Sequence, residues 1–271
     1  MNFDYFDKLW NSNVSSVEES RNHWDFRAKD FNSNKSEKNV KQVVSFFLEK
    51  GMLHEGCDAI DIGCGAGKYA IELSQIASNV TALDISPKML EYAKENAEKE
   101  GAVNIKFLEM PWEEVNVDEL GWNKKFDFAA AIMSPAINSR ESLEKLMKVS
   151  KGYCFMSGHL DRHEKVMEDI ERIALNREPS NIEYGKNIYL SFNTLWIYGI
   201  HAEITYHNMD REITRTLEDA FNYYCAQLQR KSEFSDSKKE AVKKYLEEIS
   251  EEGFVKDTFK SKNIWMYWKN P

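Results

Sequence analysis

The 271-residue chain reads as an α/β protein: a doubly wound, seven-stranded, mostly parallel sheet with helices on both faces and an inserted lid after the fifth strand. Three observations carry that reading. Short apolar runs alternate with helical segments, the pattern of parallel strands joined by right-handed crossovers. The run Asp58-Ala59-Ile60-Asp61-Ile62-Gly63-Cys64-Gly65-Ala66-Gly67 is a strand ending in an acid, then a loop with glycine at every second position. The polar motifs also fall at the carboxyl ends of the strands, where ligands sit in such sheets.

The elements follow in order. Residues 1–38 are polar with spaced aromatics (Phe3, Phe6, Trp10, Trp24, Phe26, Phe31) and read as cap helices. Residues 39–50 carry apolar positions at helical spacing, closed by Gly51. The first strand spans 58–62, a helix covers 67–76, and the second strand spans 80–84. Pro87 opens a helix that runs through Lys99 and is closed by Gly101. Strands three to five are expected at 104–108, 126–132 and 152–157. Residues 39–160 and 236–271 thus form the core, and 161–235 an inserted lid or substrate subdomain, with a dimer surface as the alternative. That insert holds a charged helix from Asp161 to Arg177, an aromatic-rich run at 188–198, a strand-like run at 202–206 and a helical face at 217–228. A helix at 239–251 and two strands, 254–259 and 263–268, joined by a Lys260-Ser261-Lys262 turn, complete the chain.

Glycines are needed in the first loop because the backbone must turn tightly and let a ligand approach without a Cβ between them. The loop feeds a helix whose free N–H groups face that ligand. Val80-Thr81-Ala82-Leu83-Asp84 is a second strand ending in an acid, placed to take ribose hydroxyls. Together they read as a nucleoside-cofactor site. A dinucleotide fingerprint wants a third glycine at the sixth place, where Lys68 stands, and a P-loop needs Ser or Thr after its lysine, where Tyr69 stands.

Glycine at the first, third and fifth places, preceded by Asp61, resembles the Asp/Glu-x-Gly-x-Gly-x-Gly signature of the Rossmann-like (class I) S-adenosylmethionine-dependent methyltransferases. The resemblance covers about Val40 to Gly158 and resumes near the C-terminus, where it implies the closing hairpin. It implies S-adenosylmethionine as cofactor, with Gly63, Cys64, Gly65 and Gly67 along its ribose and methionine part. Asp61 would meet the ammonium, Asp84 the ribose hydroxyls, and Ile85 and Met89 the adenine. Relatives place an acid after the third strand for the adenine amino group. Here Pro111 stands about there, leaving Trp112 to stack while Glu113 or a backbone carbonyl accepts the hydrogen bond. Met133, at the end of the fourth strand, completes the cofactor set. His23 to Asn32 resembles the Trp/Tyr-Asp-x-x-Ala-x-x-Phe/Tyr entry helix of many small-molecule methyltransferases, which folds over the cofactor; a helix packing its aromatics on the core is the alternative. Ser134-Pro135-Ala136-Ile137 matches half of the Asn/Asp/Ser-Pro-Pro-aromatic motif of enzymes that methylate base or amide nitrogens, lacking the second proline and the ring.

Methyl transfer is an in-line displacement at an already activated cation, so holding the nucleophile in line and dry is the main task. A general base matters only for a nucleophile that arrives protonated. His159, Tyr198 and His201 are the candidate bases, each with a structural alternative, and none is assigned. Trp24, Phe31, Ser134 and Trp196 are candidates for the acceptor pocket. The chain has 36 Lys and Arg against 45 Asp and Glu, net −9, a poor match for phosphate backbones. No run is long enough to span a bilayer, the N-terminus lacks a signal pattern, and Cys57, Cys64, Cys154 and Cys225 form no metal-type pair. The expectation is a cytoplasmic enzyme without metal, methylating a small molecule, with a homodimer as an option. A protein or RNA methyltransferase and a non-catalytic S-adenosylmethionine-binding module are the alternatives.

Overall fold

Strand β1 (Asp58–Ile62) lies at the centre of the sheet, buried on both faces, which is why it is apolar without alternation. It pairs in parallel with β2 (Asn79–Asp84) on one side and β4 (Phe126–Ala131) on the other. Beyond these lie β3 (Ile105–Glu109), parallel to β2, and β5 (Ser150–Glu164), parallel to β4. The order of the eight-stranded sheet is β3-β2-β1-β4-β5-β8-β6, with β7 also pairing β8, and it reverses direction between β1 and β4. The computed structural model describes residues 3–10, 16–33, 37–176, 184–229 and 234–271.

Helices α1 (Phe3–Trp10), α2 (Val17–Ser33) and α3 (Glu37–Glu49) precede the sheet, and α4 (Lys68–Ser74), α5 (Pro87–Lys99) and α6 (Arg140–Val149) connect its parallel strands. Helix α5 starts as its sequence dictates: Ser86 caps the first turn by accepting the Met89 N–H at 3.0 Å, and Pro87 fills the position that needs no donor.

Two expectations are corrected. The helix expected from Asp161 begins at Lys165 instead: β5 continues to Glu164 before α7 (Lys165–Leu175). The expected closing hairpin is one continuous strand, β8 (Phe254–Lys269). Lys260-Ser261-Lys262 contains no Gly, Pro, Asn or Asp, and alternate burial runs straight through it at Val255, Asp257, Phe259, Ser261 and Asn263. The antiparallel partner of its first half comes from the inserted stretch: β7 (Arg211–Thr216) pairs it from Arg211↔Phe259 to Thr216↔Phe254, after β6 (Glu203–Asn208).

The chain forms two compact units. The first comprises Met1–Gly158, Gly185–Thr205 and Ile264–Pro271, the second His159–Tyr184 and Tyr206–Asn263. Residues 161–235 therefore contribute to both, with α8 (Lys186–Ile197) in the first and α9 (Leu217–Gln229) in the second. The first core gathers Ile60, Ile62, Leu83, Ala129, Met156 and Trp268. The second packs α7, α9 and α10 (Asp236–Ile249) through Ile170, Tyr224, Leu228 and Leu246, with the Tyr224 hydroxyl donating to buried Asp257 at 2.6 Å. Among the described residues no helix is long and apolar enough to cross a membrane.

Candidate active site

The glycine loop leaves β1 at its carboxyl end and is pinned at once to β2. The N–H groups of Gly63 and Cys64 both donate to the Leu83 carbonyl, at 2.8 and 3.0 Å. Gly63 has φ +74°, and a Cβ there would lie 2.1 Å from the Ser134 Oγ, so only glycine admits the end of β4 this close. At Gly67, φ is +80° and a Cβ would meet the Ala93 Cβ at 2.9 Å, so glycine lets the start of α4 lie against α5.

Asp84 closes the loop from the other side. Its Oδ2 accepts the Gly65 N–H at 2.8 Å and its Oδ1 the Ser86 N–H at 2.9 Å. Each oxygen keeps acceptor capacity for a further donor. Burial raises the Asp84 carboxyl above its ordinary value, against these backbone bonds, and the Asp25 charge adds to the rise. Asp61, 1% exposed, has an Oδ2 with no hydrogen-bond partner among the described residues. Burial, and then the Asp84 charge, push its carboxyl up to about 7. A buried carboxylate oxygen without a donor is costly, and a cation beside it would remove the cost. The Cys64 thiol is buried and pushed well above its ordinary value, first by burial and then by Asp61.

Helix α2 bridges the loops of this site within the first unit. Arg21 faces Glu109 at the end of β3, 3.7 Å away. Asp25 Oδ1 accepts the Ser86 hydroxyl at 2.5 Å and the Lys88 N–H at 3.3 Å, beyond β2. The Phe31 carbonyl takes Lys68 Nζ at 2.7 Å, directly after the glycine loop. Asn96 Nδ2 joins the Asn32 Oδ1 (2.8 Å) to the Ala66 carbonyl (3.0 Å). One helix thus touches the ends of β3 and β2 and the turn into α4.

Asp61, Gly63, Cys64, Gly65, Gly67 and Asp84 meet in one place, with Met89 buried below and its sulfur 3.9 Å from where a Gly65 Cβ would stand. Ile85 is half-buried beside them. Pro111 and Trp112 are buried after β3; the Trp112 indole N–H donates to the Ser142 carbonyl at 3.0 Å. Glu113 is exposed and accepts Asn138 Nδ2 at 2.9 Å. Met133 takes φ +53°, unusual for a side-chain-bearing residue, with its N–H held by the Ser157 Oγ at 2.9 Å. Ser134 reaches the loop through the Gly63 approach. Trp24 and Phe31 stack edge-on at 5.6 Å, with the Arg27 guanidinium 4.8 Å from the Phe31 ring.

Of the candidate bases, Tyr198 stands apart from this set. Tyr198 is bonded to Glu144 of α6, with its ring 5.0 Å from that of Phe3. It lines a depression with Lys124, Lys148 and Asn270, beside the amino end of β4. His201 packs on Trp196, itself 54% exposed, at 4.6 Å. His159 belongs to the second unit, its Nδ1 2.6 Å from the Ser261 Oγ and 2.9 Å from the Asn263 Oδ1, between the Tyr184 and Phe259 rings. Sequence reasoning passed over Asp25, Ser86 and Asn96. Asp25 had a signal, its place in the entry-helix motif, and Ser86 had the Ser-Pro cap; Asn96 had none.

Comparison with known proteins places these features in a family. The family described as Methyltransferase domain matches residues 53–253. An uncharacterised protein of Haemophilus influenzae is 31% identical over 151 residues, covering 54% of this chain and 52% of that protein. The human EEF1A lysine methyltransferase 2 is 26% identical over 152 residues, covering 52% and 64%. A ubiquinone biosynthesis O-methyltransferase of Methylocella silvestris is 45% identical over 47 residues, 17% and 18% of the two chains. The chain thus spans from about a fifth to under two thirds of the curated relatives it matches. Among solved structures, a candidate methyltransferase of Bacillus halodurans C-125 shares the fold with TM-score 0.52 at 15% identity, over 88% of this chain and all of that one.

Proposed function

This chain belongs to the methyltransferase-domain family and is an S-adenosylmethionine-dependent enzyme; from that premise we propose that its methyl acceptor is a small molecule. When bound, the cofactor supplies a methyl group already activated on a sulfonium. The residues present fit such a guest. The partnerless Asp61 Oδ2 suits its ammonium, and Asp84, with acceptor capacity left on both oxygens, suits the ribose diol. The bare peptide edges between Gly63 and Gly67 suit the part between them. What remains for the protein is to orient the acceptor and exclude water.

The observation that carries the small-acceptor reading is α2, tied to three loops at the carboxyl ends of the strands. A helix bound there suits an enclosed site better than one open to a long polymer. The net charge of −9 also disfavours a phosphate backbone. Trp24, Phe31 and Ser134 are our candidates for the acceptor wall, and the inserted stretch 161–235 for acceptor choice. No general base is assigned.

A protein acceptor is the second reading, favoured by the similarity to the human lysine methyltransferase. The test is transfer of labelled methyl from S-adenosylmethionine into a cell extract fractionated by size and nuclease sensitivity. Label in the low-mass fraction supports the proposal. Label confined to protein or RNA overturns it.

A further inference from the structure

We propose that Asp25 is a positioning residue for the cofactor: acting through Ser86, it holds the Asp84 carboxylate in place and latches α2 across the site, so that breaking its contacts governs cofactor release. The inference rests on the reading of Asp84 as the ribose acid and adds to it a residue that acts through Ser86.

Ser86 is fully buried and has one hydroxyl hydrogen. Its Oγ already accepts the Met89 N–H as the cap of α5, so its own hydrogen must find another acceptor. Asp25 Oδ1 is that acceptor, at 2.5 Å, a charge-assisted bond. The backbone of the same serine donates to Asp84 Oδ1, whose other oxygen holds the Gly65 N–H. Asp25, Ser86, Asp84 and Gly65 therefore form one chain of contacts from the cap helix to the glycine loop. Removing Asp25 would leave a buried hydroxyl hydrogen without an acceptor, and the serine would have to turn away from its cap position. Asp25 also receives the Lys88 N–H, which ties α2 to the first turn of α5. The other end of α2 is held separately, by Lys68 on the Phe31 carbonyl and Asn96 on Asn32. Asp25 is thus the latch nearest the ribose acid.

The test uses the full chain and measures the affinity and dissociation rate of S-adenosylmethionine and of its demethylated product. D25A is expected to release both about 5–50-fold faster, the range for one lost charge-assisted bond at a partly exposed site. Asn offers the same acceptor oxygen to Ser86, so D25N should restore release to within about threefold of the parent. Unchanged release in D25A overturns the inference, as does a D25N variant as leaky as D25A, since a bare charge effect needs no latch. If D25A does not fold, hydrogen exchange of the parent protein decides. Amides of α2 should exchange more slowly with the product bound, and no difference sinks the proposal. D84A separates the two levels. Loss of binding in D84A with normal D25A refutes the latch alone, whereas normal binding in D84A refutes the site on which it rests.

Discussion

Asp61→Asn should yield a protein whose cofactor-free form is more stable above neutrality and whose grip on the cofactor is weaker. The parent carboxyl titrates near 7 in the fold, against 3.8 ordinarily, because burial and then Asp84 disfavour its charge. Between those two pH values the folded protein keeps a proton that the unfolded chain has released. Stability is therefore full at acid pH, falls as pH rises toward 7, and levels off beyond it. At about 1.4 kcal/mol per pH unit, the decline amounts to roughly 4 kcal/mol. Asn cannot ionise and shows no such decline, but its buried amide stands where the carboxyl oxygen makes no hydrogen bond, at a cost of about 1–3 kcal/mol. The two stability curves should cross: the variant is the weaker near about pH 4 and the stronger, by roughly 1–3 kcal/mol, near about pH 8. Urea unfolding of cofactor-free protein across that range measures it. Calorimetry should show parent affinity for S-adenosylmethionine rising through pH 7 as Asp61 ionises to meet the ammonium, and a weak, pH-independent affinity in the variant. If the two unfolding curves run parallel, Asp61 is not the buried, unsatisfied acid argued above.

Further outcomes follow from the same geometry. Asp84→Ala should lower cofactor affinity by at least about 100-fold in calorimetry, since two acceptor oxygens for the diol and the anchor of Gly65 are lost together. Gly67→Ala combines a left-handed backbone with a 2.9 Å approach to the Ala93 Cβ. It should lose about 2–4 kcal/mol in chemical denaturation. Tyr198→Phe removes a surface bond to Glu144 beside the amino end of β4, and kcat should stay within about twofold of the parent. A loss of orders of magnitude would assign Tyr198 as a base.

Much of the site was legible because its parts are backbone demands. A loop that needs left-handed conformations and close approach must be written in glycine, and acids at strand ends stand at fixed distances from it in sequence. That Asp61, Asp84 and the loop come together could therefore be expected from spacing. The contacts of α2 could not, since Asp25 meets Ser86 across 61 residues and the choice of partner depends on how a helix lies. The closing segment hides its form for a related reason: Lys260-Ser261-Lys262 is polar enough to suggest a turn, yet period-2 burial continues through it within one strand from Phe254 to Lys269.

The cysteine in the middle of the glycine loop has a consequence for the enzyme's chemistry of exposure. Thiol-modifying oxidants and alkylating agents attack the thiolate, and Cys64 is enclosed and held in its protonated form by burial first and by Asp61 and Asp84 after it. The same negative surroundings that suit a sulfonium guest thereby shield the one sulfur atom in the loop from oxidative damage, so peroxide should leave the loop chemically intact.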